Sequence, residues 1–188
     1  MNRAIAMLNH EHLVIMKVVN ALGAISNDLA HGKAVEVETL RGIVKFMREF
    51  ADKCHHAKEE SILFPAMARH GVPESGCPLS ALRHEHILGR QFVTALAEAT
   101  EAYARRDANA TDMLMTAIAN IGHLYPSHIW KEDNMVFPMV DRLFSPEDIE
   151  QLAEQFEKTE AELGGEAHEE LERFAEGLPR RVPAFMGT

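Results

Sequence analysis

No Cys-x-x-C pair occurs in this 188-residue sequence, and its two cysteines are Cys54 and Cys77. That excludes a zinc ribbon and a thioredoxin-type redox motif. Two thiols whose spacing demands no disulfide fit a reduced, cytoplasmic setting. No apolar run is expected to reach membrane-spanning length, and the N-terminus, MNRAIAMLNHEH, has no signal-like apolar segment. A basic surplus is missing too: 19 Lys and Arg stand against 29 Asp and Glu, a formal charge of −10. Nucleic acid and anionic membrane both call for a basic surface, so neither is expected as a partner. No stretch alternates apolar and polar residues with the period of a strand. What remains is an ordinary globular composition, 46% apolar and 26% charged, in a chain long enough for one core.

Within that ordinary composition lies a repeat. Residues 54–67 read CHHAKEESILFPAM and residues 128–140 read HIWKEDNMVFPMV. Aligned, they pair His55 with His128, Lys58 with Lys131, Glu59 with Glu132, Phe64 with Phe137 and Pro65 with Pro138, at an offset of 73. NHEH ends at His12 and RHEH at His86, at an offset of 74. The chain therefore reads as two copies of one helical hairpin. Each carries a lone histidine on its first helix and a His-x-x-x-Glu pair on its second.

Helical periodicity accounts for the rest of the chain. The spacing of Ile5, Leu8, His12, Ile15, Val19, Leu22 and Ile25 predicts a first helix over residues 3 to about 31, stopped at His31-Gly32. Further helices are expected over about 36–69, 79–106 and 110–143, with Pro65, Pro126 and Pro138 bending or breaking their last turns. Ser145-Pro146-Glu147-Asp148 is a strong start for a fifth helix to about Glu176, open to interruption at Gly164-Gly165. The fold class expected is all-α: an up-down-up-down four-helix bundle over 1–144, with an additional C-terminal helix over 145–177 packed outside it and a loosely held tail over 178–188.

Depth along the hairpins turns the repeat into a site. His12 and His55 lie 21 and 22 residues either side of a turn near residue 33, and His86 and His128 each lie 21 from a turn near residue 107. At about 1.5 Å per residue, all four reach one level roughly 32 Å from the turns. Residues four apart share a helix face, so Glu59 and Glu132 arrive there with them. Four imidazoles and two carboxylates buried together call for partners. Two metal ions suit them better than one, and nitrogen and oxygen donors without thiolate suit iron, manganese or zinc.

The motifs HEHLVI, HHAKEESILFP, HEHILGR and HIWKEDNMVFP together resemble the hemerythrin-like, or HHE cation-binding, family, over about residues 4–143. The resemblance implies a four-helix bundle holding an oxo- or hydroxo-bridged pair of non-haem irons, with five histidines and two bridging carboxylates. Carried over by motif position, the ligands are His12, His55, Glu59, His86, His128 and Glu132. His56 is the first choice for the fifth histidine, with His123 the alternative; the position matching His56 in the second repeat is Ile129. Glu60 and Asp133 are the one-residue-shifted alternatives to the two glutamates. His10 and His84 turn away from the ligand face. His31, His70 and His168 are expected at the surface or at helix ends. Cys54, Met47, Met67, Met135 and Met139 are expected to pack in the bundle, as is Tyr125, while Phe64, Phe137 and Trp130 line or seal the pocket.

Function follows from the donor set. No Glu-x-x-His occurs, the pair that two helices of ferritin-like oxidases carry. An imidazole-rich shell with few anions stabilises highly oxidised iron less, which favours binding or sensing of dioxygen or nitric oxide. A second reading is an enzyme that removes peroxide or nitric oxide, or that repairs iron–sulfur clusters. The repair proteins usually carry an extra N-terminal cysteine segment, and here helix 1 begins at once. A third is an iron-responsive module reported through the fifth helix.

Overall fold

The computed structural model describes residues 2–178. The tail expected over 178–188 lies outside the described residues except for Leu178, which is buried in the core rather than loosely held. The molecule is 86% helical, with six helices and no strand among the described residues. We label them α1 (Arg3–Ala30), α2 (residues 37–69), α3 (Leu79–Ala104), α4 (residues 110–143), α5 (Pro146–Leu163) and α6 (Gly165–Gly177). The first four form the antiparallel bundle and the last two form a hairpin against α1 and α2.

Local signals set the boundaries. The Asn2 side-chain oxygen accepts from the Ile5 N–H at 2.8 Å and caps α1. Gly32, at φ 73°, turns the chain away after it in a conformation that glycine adopts without strain. Every residue of the α1 stripe named from the sequence is buried. Ser145 opens α5 with a reciprocal cap, accepting from the Asp148 N–H while Asp148 accepts from its own. Gly164, at φ 93°, breaks the fifth helix into α5 and α6. In α1 one stretch is long and apolar enough, at mean hydropathy 1.4, to cross a membrane by length and composition, contrary to expectation. Half of that stretch is buried in the bundle, where its apolar face forms core.

Pro65 and Pro138 neither break nor sharply end their helices. In both, the helix widens just before the proline into a π turn, over Glu59–Leu63 and Glu132–Val136. The Phe64 N–H then bonds the Glu59 carbonyl, and the Phe137 N–H the Glu132 carbonyl, five residues back. The wider turn carries the disturbance that a proline ring brings to a regular helix. A longer π stretch, Met47–His56, precedes the first.

The core is split in two. One apolar cluster runs from Leu29, Leu40 and Leu114, near the turns that join the helices, to Val14, Ala51, Tyr125 and Ile129 beside the polar layer. The other gathers Ile5, Leu8, Leu63, Phe64, Leu82, Val136 and Phe137. Phe156 of α5 is fully buried in the second; burying one such ring is worth about 1.5–3 kcal/mol. Leu171, Ala175 and Leu178 join the first. Gly42 lets α6 approach, because a Cβ there would meet the Phe174 ring at 2.6 Å. Between the two clusters, on all four bundle helices, lies the polar layer.

Candidate metal centre

His12, His55, His86, His128, Glu59 and Glu132 all reach this layer, and each is at most 3% exposed. They form two equivalent halves. The Nε2 atoms of His12 and His55 are 3.1 Å apart, and so are those of His86 and His128. Each glutamate faces both pairs. Glu59 Oε1 lies 3.6 Å from His55 Nε2, and its Oε2 lies 3.4 Å from His86 Nε2. Glu132 Oε2 lies 3.2 Å from His12 Nε2, and its Oε1 lies 3.2 Å from His128 Nε2. None of these four buried carboxylate oxygens has a hydrogen-bond partner.

A ring of outer carboxylates fixes the imidazoles. His55 Nδ1 faces Glu11 and His128 Nδ1 faces Glu85, both at 2.9 Å. His12 Nδ1 faces Asp133 and His86 Nδ1 faces Glu60, both at 2.7 Å. An ionised carboxylate only accepts, so each Nδ1 carries the proton and donates it outward. The Nε2 lone pairs then point inward, two by two, at 3.1 Å. Two lone pairs aimed at each other repel unless a proton or a cation sits where they converge. At bond lengths of about 2.1 Å, two nitrogens on neighbouring positions of an octahedral ion would stand about 3.0 Å apart.

Electrostatics point the same way. Burial lowers the basicity of His12, but the nearby carboxylates of Asp133, Glu132 and Glu59 outweigh it and push its pKa up to about 10. His86 rises to about 11 against burial, through Glu132, Glu59 and Glu60. Glu132 is held well below the usual carboxylate range despite burial, chiefly by His128 and His12. The buried acids demand positive charge, and in the absence of a metal only imidazolium supplies it.

A cation between each pair satisfies both the carboxylates and the lone pairs, so the residues present fit a two-ion centre. One position has His12, His55, Glu59 and Glu132 around it, and the other has His86 and His128 with the same two glutamates. A hemerythrin HHE cation-binding domain model matches residues 3–140. The chain belongs to the hemerythrin HHE cation-binding family. Uncharacterized proteins of Mycobacterium bovis and Mycobacterium tuberculosis are each 31% identical to it over 123 residues, 65% of this chain. The chain spans about half, 48%, of the length of these curated relatives. No solved structure gives a significant match.

In this HHE bundle His56 is buried, stacks on His86 at 4.0 Å and groups with His86 and His128. Burial and the adjacent His86 push its pKa well below the ordinary value, which leaves a neutral imidazole. His123, the alternative, lies exposed. Glu60 and Asp133 are the outer partners of His86 and His12, so their acids are already engaged. Phe64 and Phe137 stack on His86 and His12 at 5.9 and 5.4 Å, as expected of residues that seal the layer. Trp130 corrects the sequence reading: it is 59% exposed and seals nothing. Met135, at 50%, packs in no bundle core either. Cys54 is buried beside Glu11, and burial pushes its thiol up to about 12.

Sequence reasoning missed Glu11, Glu85 and the lysines behind them. Lys58 bonds Glu11, Lys131 bonds Glu85, and Lys58 also bonds Glu160 of α5 at 2.5 Å. The signal was present, since HEH and KE recur in both repeats. His168 of α6 was placed at the surface, but the α5–α6 hairpin folds it onto the Phe50 ring at 4.9 Å and within 3.8 Å of Glu11 Oε1. Glu11 raises its pKa against partial burial, with Glu160 and Glu172 adding to the rise. A raised folded-state value means that its stabilising contribution is complete below an unfolded pKa of about 6.5 and is lost as pH climbs through the folded value. The melting-temperature gap between wild type and His168→Gln should therefore narrow from pH 6 to pH 9. A gap independent of pH would remove the ion pair from the account.

Proposed function

We propose that this chain is a non-haem di-iron protein that binds or senses dioxygen, or a related small molecule such as nitric oxide. One observation carries the reading: the four oxygens of Glu59 and Glu132, buried without hydrogen bonds, each face one of the two histidine pairs. His12 and His55 would hold one ion; His56, His86 and His128 the other; the glutamates both. Manganese or zinc would suit the same nitrogen and oxygen donors, and iron is favoured by the family's chemistry. When bound, two ferrous ions supply the electrons that a small diatomic molecule needs in order to be held reversibly.

The protein's own part is positional. The outer carboxylates keep the proton on Nδ1 and so keep Nε2 free as a donor. Phe64 and Phe137 lie flat against two of the imidazoles and exclude water from that side. The third histidine makes the two positions unequal, because its counterpart is the apolar Ile129. Among the described residues, Glu59 and Glu132 are the two buried acids that would face the ions, which would limit the charge available to stabilise highly oxidised states.

The test is anaerobic purification, iron analysis and optical titration with oxygen. The expected result is about two irons per chain and a visible band that forms with oxygen and reverses on its removal. Rapid irreversible oxidation with peroxide consumption would favour the enzyme reading. Less than one metal per chain, with melting unchanged by chelator, would overturn the metal site.

A further inference from the structure

The pseudo-symmetry that governs the polar layer fails at one place. At the repeat offsets, Asp52, His56 and Arg90 correspond to Tyr125, Ile129 and Met16. The first set is polar and connected: Arg90 bonds Asp52 at 2.7 Å and Glu60 at 2.9 Å, and His56 Nδ1 lies 3.4 Å from Asp52. A cavity of about 210 Å³ opens beside these residues, lined also by Arg48, Thr94 and Tyr125. Its buried wall is Met47, His56, Val93 and Tyr125. His56 and Tyr125 also line a narrower crevice that continues to His86 and His128 and has no water-sized space. A Cβ on Gly89 would stand 3.4 Å from the Tyr125 hydroxyl, so glycine leaves that ring room beside the crevice. The hydroxyl bonds no protein group among the described residues.

The outside of the cavity is also distinctive. A groove of about 550 Å³ shares Arg48 and Asp52 with it and brings Arg41, Lys45 and Lys53 to its rim. Arg41 and Lys45 pair with Glu101 and Glu49. Among the described residues, no acid pairs with Arg48 or Lys53. In a chain of net charge −10, two unpaired cations at one opening form a local field of the opposite sign. Such fields steer small ions over about a Debye length, roughly 8–10 Å at physiological salt.

We propose that this cavity is the port through which small ligands reach the polar layer, and that Arg48 and Lys53 draw small monoanions of about the size of nitrite into it. The inference rests on the di-metal reading above. Tyr125 and His56 close the inner end, so entry requires the Tyr125 ring to move. In the other half of the bundle the positions matching Arg90 and His56 are the apolar Met16 and Ile129.

Stopped-flow absorption on the iron-loaded protein tests it, with nitrite as the anionic probe and dioxygen as the neutral one. Nitrite association should fall about fivefold between low and moderate salt, while dioxygen uptake should show no salt dependence. Arg48→Glu should slow nitrite about tenfold and reverse its salt trend. Thr94→Trp, at an exposed position on the cavity wall, should slow both probes about tenfold or more with bound iron unchanged. If both rates ignore Thr94→Trp, the port lies elsewhere. If nitrite ignores both salt and Arg48→Glu, there is no steering. Either result overturns the port in a protein that still binds iron, whereas a chain that binds no metal overturns the di-metal reading and the port together.

Discussion

Glu59→Ala should lower bound iron from about two ions per chain to fewer than one, as should Glu132→Ala. Each glutamate places one oxygen beside each histidine pair, so on the proposed reading neither ion would keep its full set of donors when one glutamate is lost. Removing an outer partner of a ligating histidine typically costs about 10–100-fold in metal affinity, and loss of a shared direct ligand should cost more. Metal analysis and the melting shift on adding iron are the readouts; a ligand present at 1,000 times its dissociation constant adds about 4 kcal/mol to stability. Unchanged iron in both variants would hand the bridging role to Glu60 and Asp133. Their present engagement with His86 and His12 argues against that.

Lys58→Met should destabilise the fold by about 3–5 kcal/mol. Lys58 is fully buried. Removing its ammonium leaves Glu11, also buried and held well below the ordinary carboxylate pKa, with only the more distant His168 as a cation, and takes the direct partner from Glu160. Lys131 makes the equivalent bond to Glu85, but its side chain is 35% exposed, so water can replace it. Lys131→Met should therefore cost about 1 kcal/mol or less. At about 2–4 °C per kcal/mol for a chain of this size, the two melting points should separate by roughly 10 °C. Equal losses would mean that α5 and α6 do not seal Lys58 from solvent.

The difference between these two lysines marks where the sequence stopped being legible. The bundle and the six symmetric residues could be read because the signal repeats: equal distances from two turns put His12, His55, His86 and His128 at one depth. Glu11 and Glu85 escaped for a geometric reason. Each stands one residue, about 100° of helix, away from its own helix's histidine. It therefore serves the histidine of a neighbouring helix, which a search along one helix face does not find. Glu60 and Asp133 were weighed only as replacements for the glutamates and proved to be the supports of His86 and His12. His168 had no repeat to reveal it, since its position depends on how the α5–α6 hairpin folds back. Trp130 and Met135 show the opposite error: Trp130 was expected to line or seal the pocket and Met135 to pack in the bundle, though their side of the helix faces out.

The π turns at Glu59–Leu63 and Glu132–Val136 bear on any attempt to rebuild this centre elsewhere. A π turn adds one residue to the helix without adding a turn, so everything beyond it is rotated by about 100° from where a regular helix would place it. That offset lets Glu59 point inward while Phe64, past the turn, still lies over His86. A designer who copied the histidines and glutamates onto four straight, idealised helices would keep the donors and lose the phase. The rings that cover the imidazoles would face solvent, and the second apolar cluster would be out of register with the first. Transplanting the site therefore requires the extra residue in each of the two helices as well as the side chains.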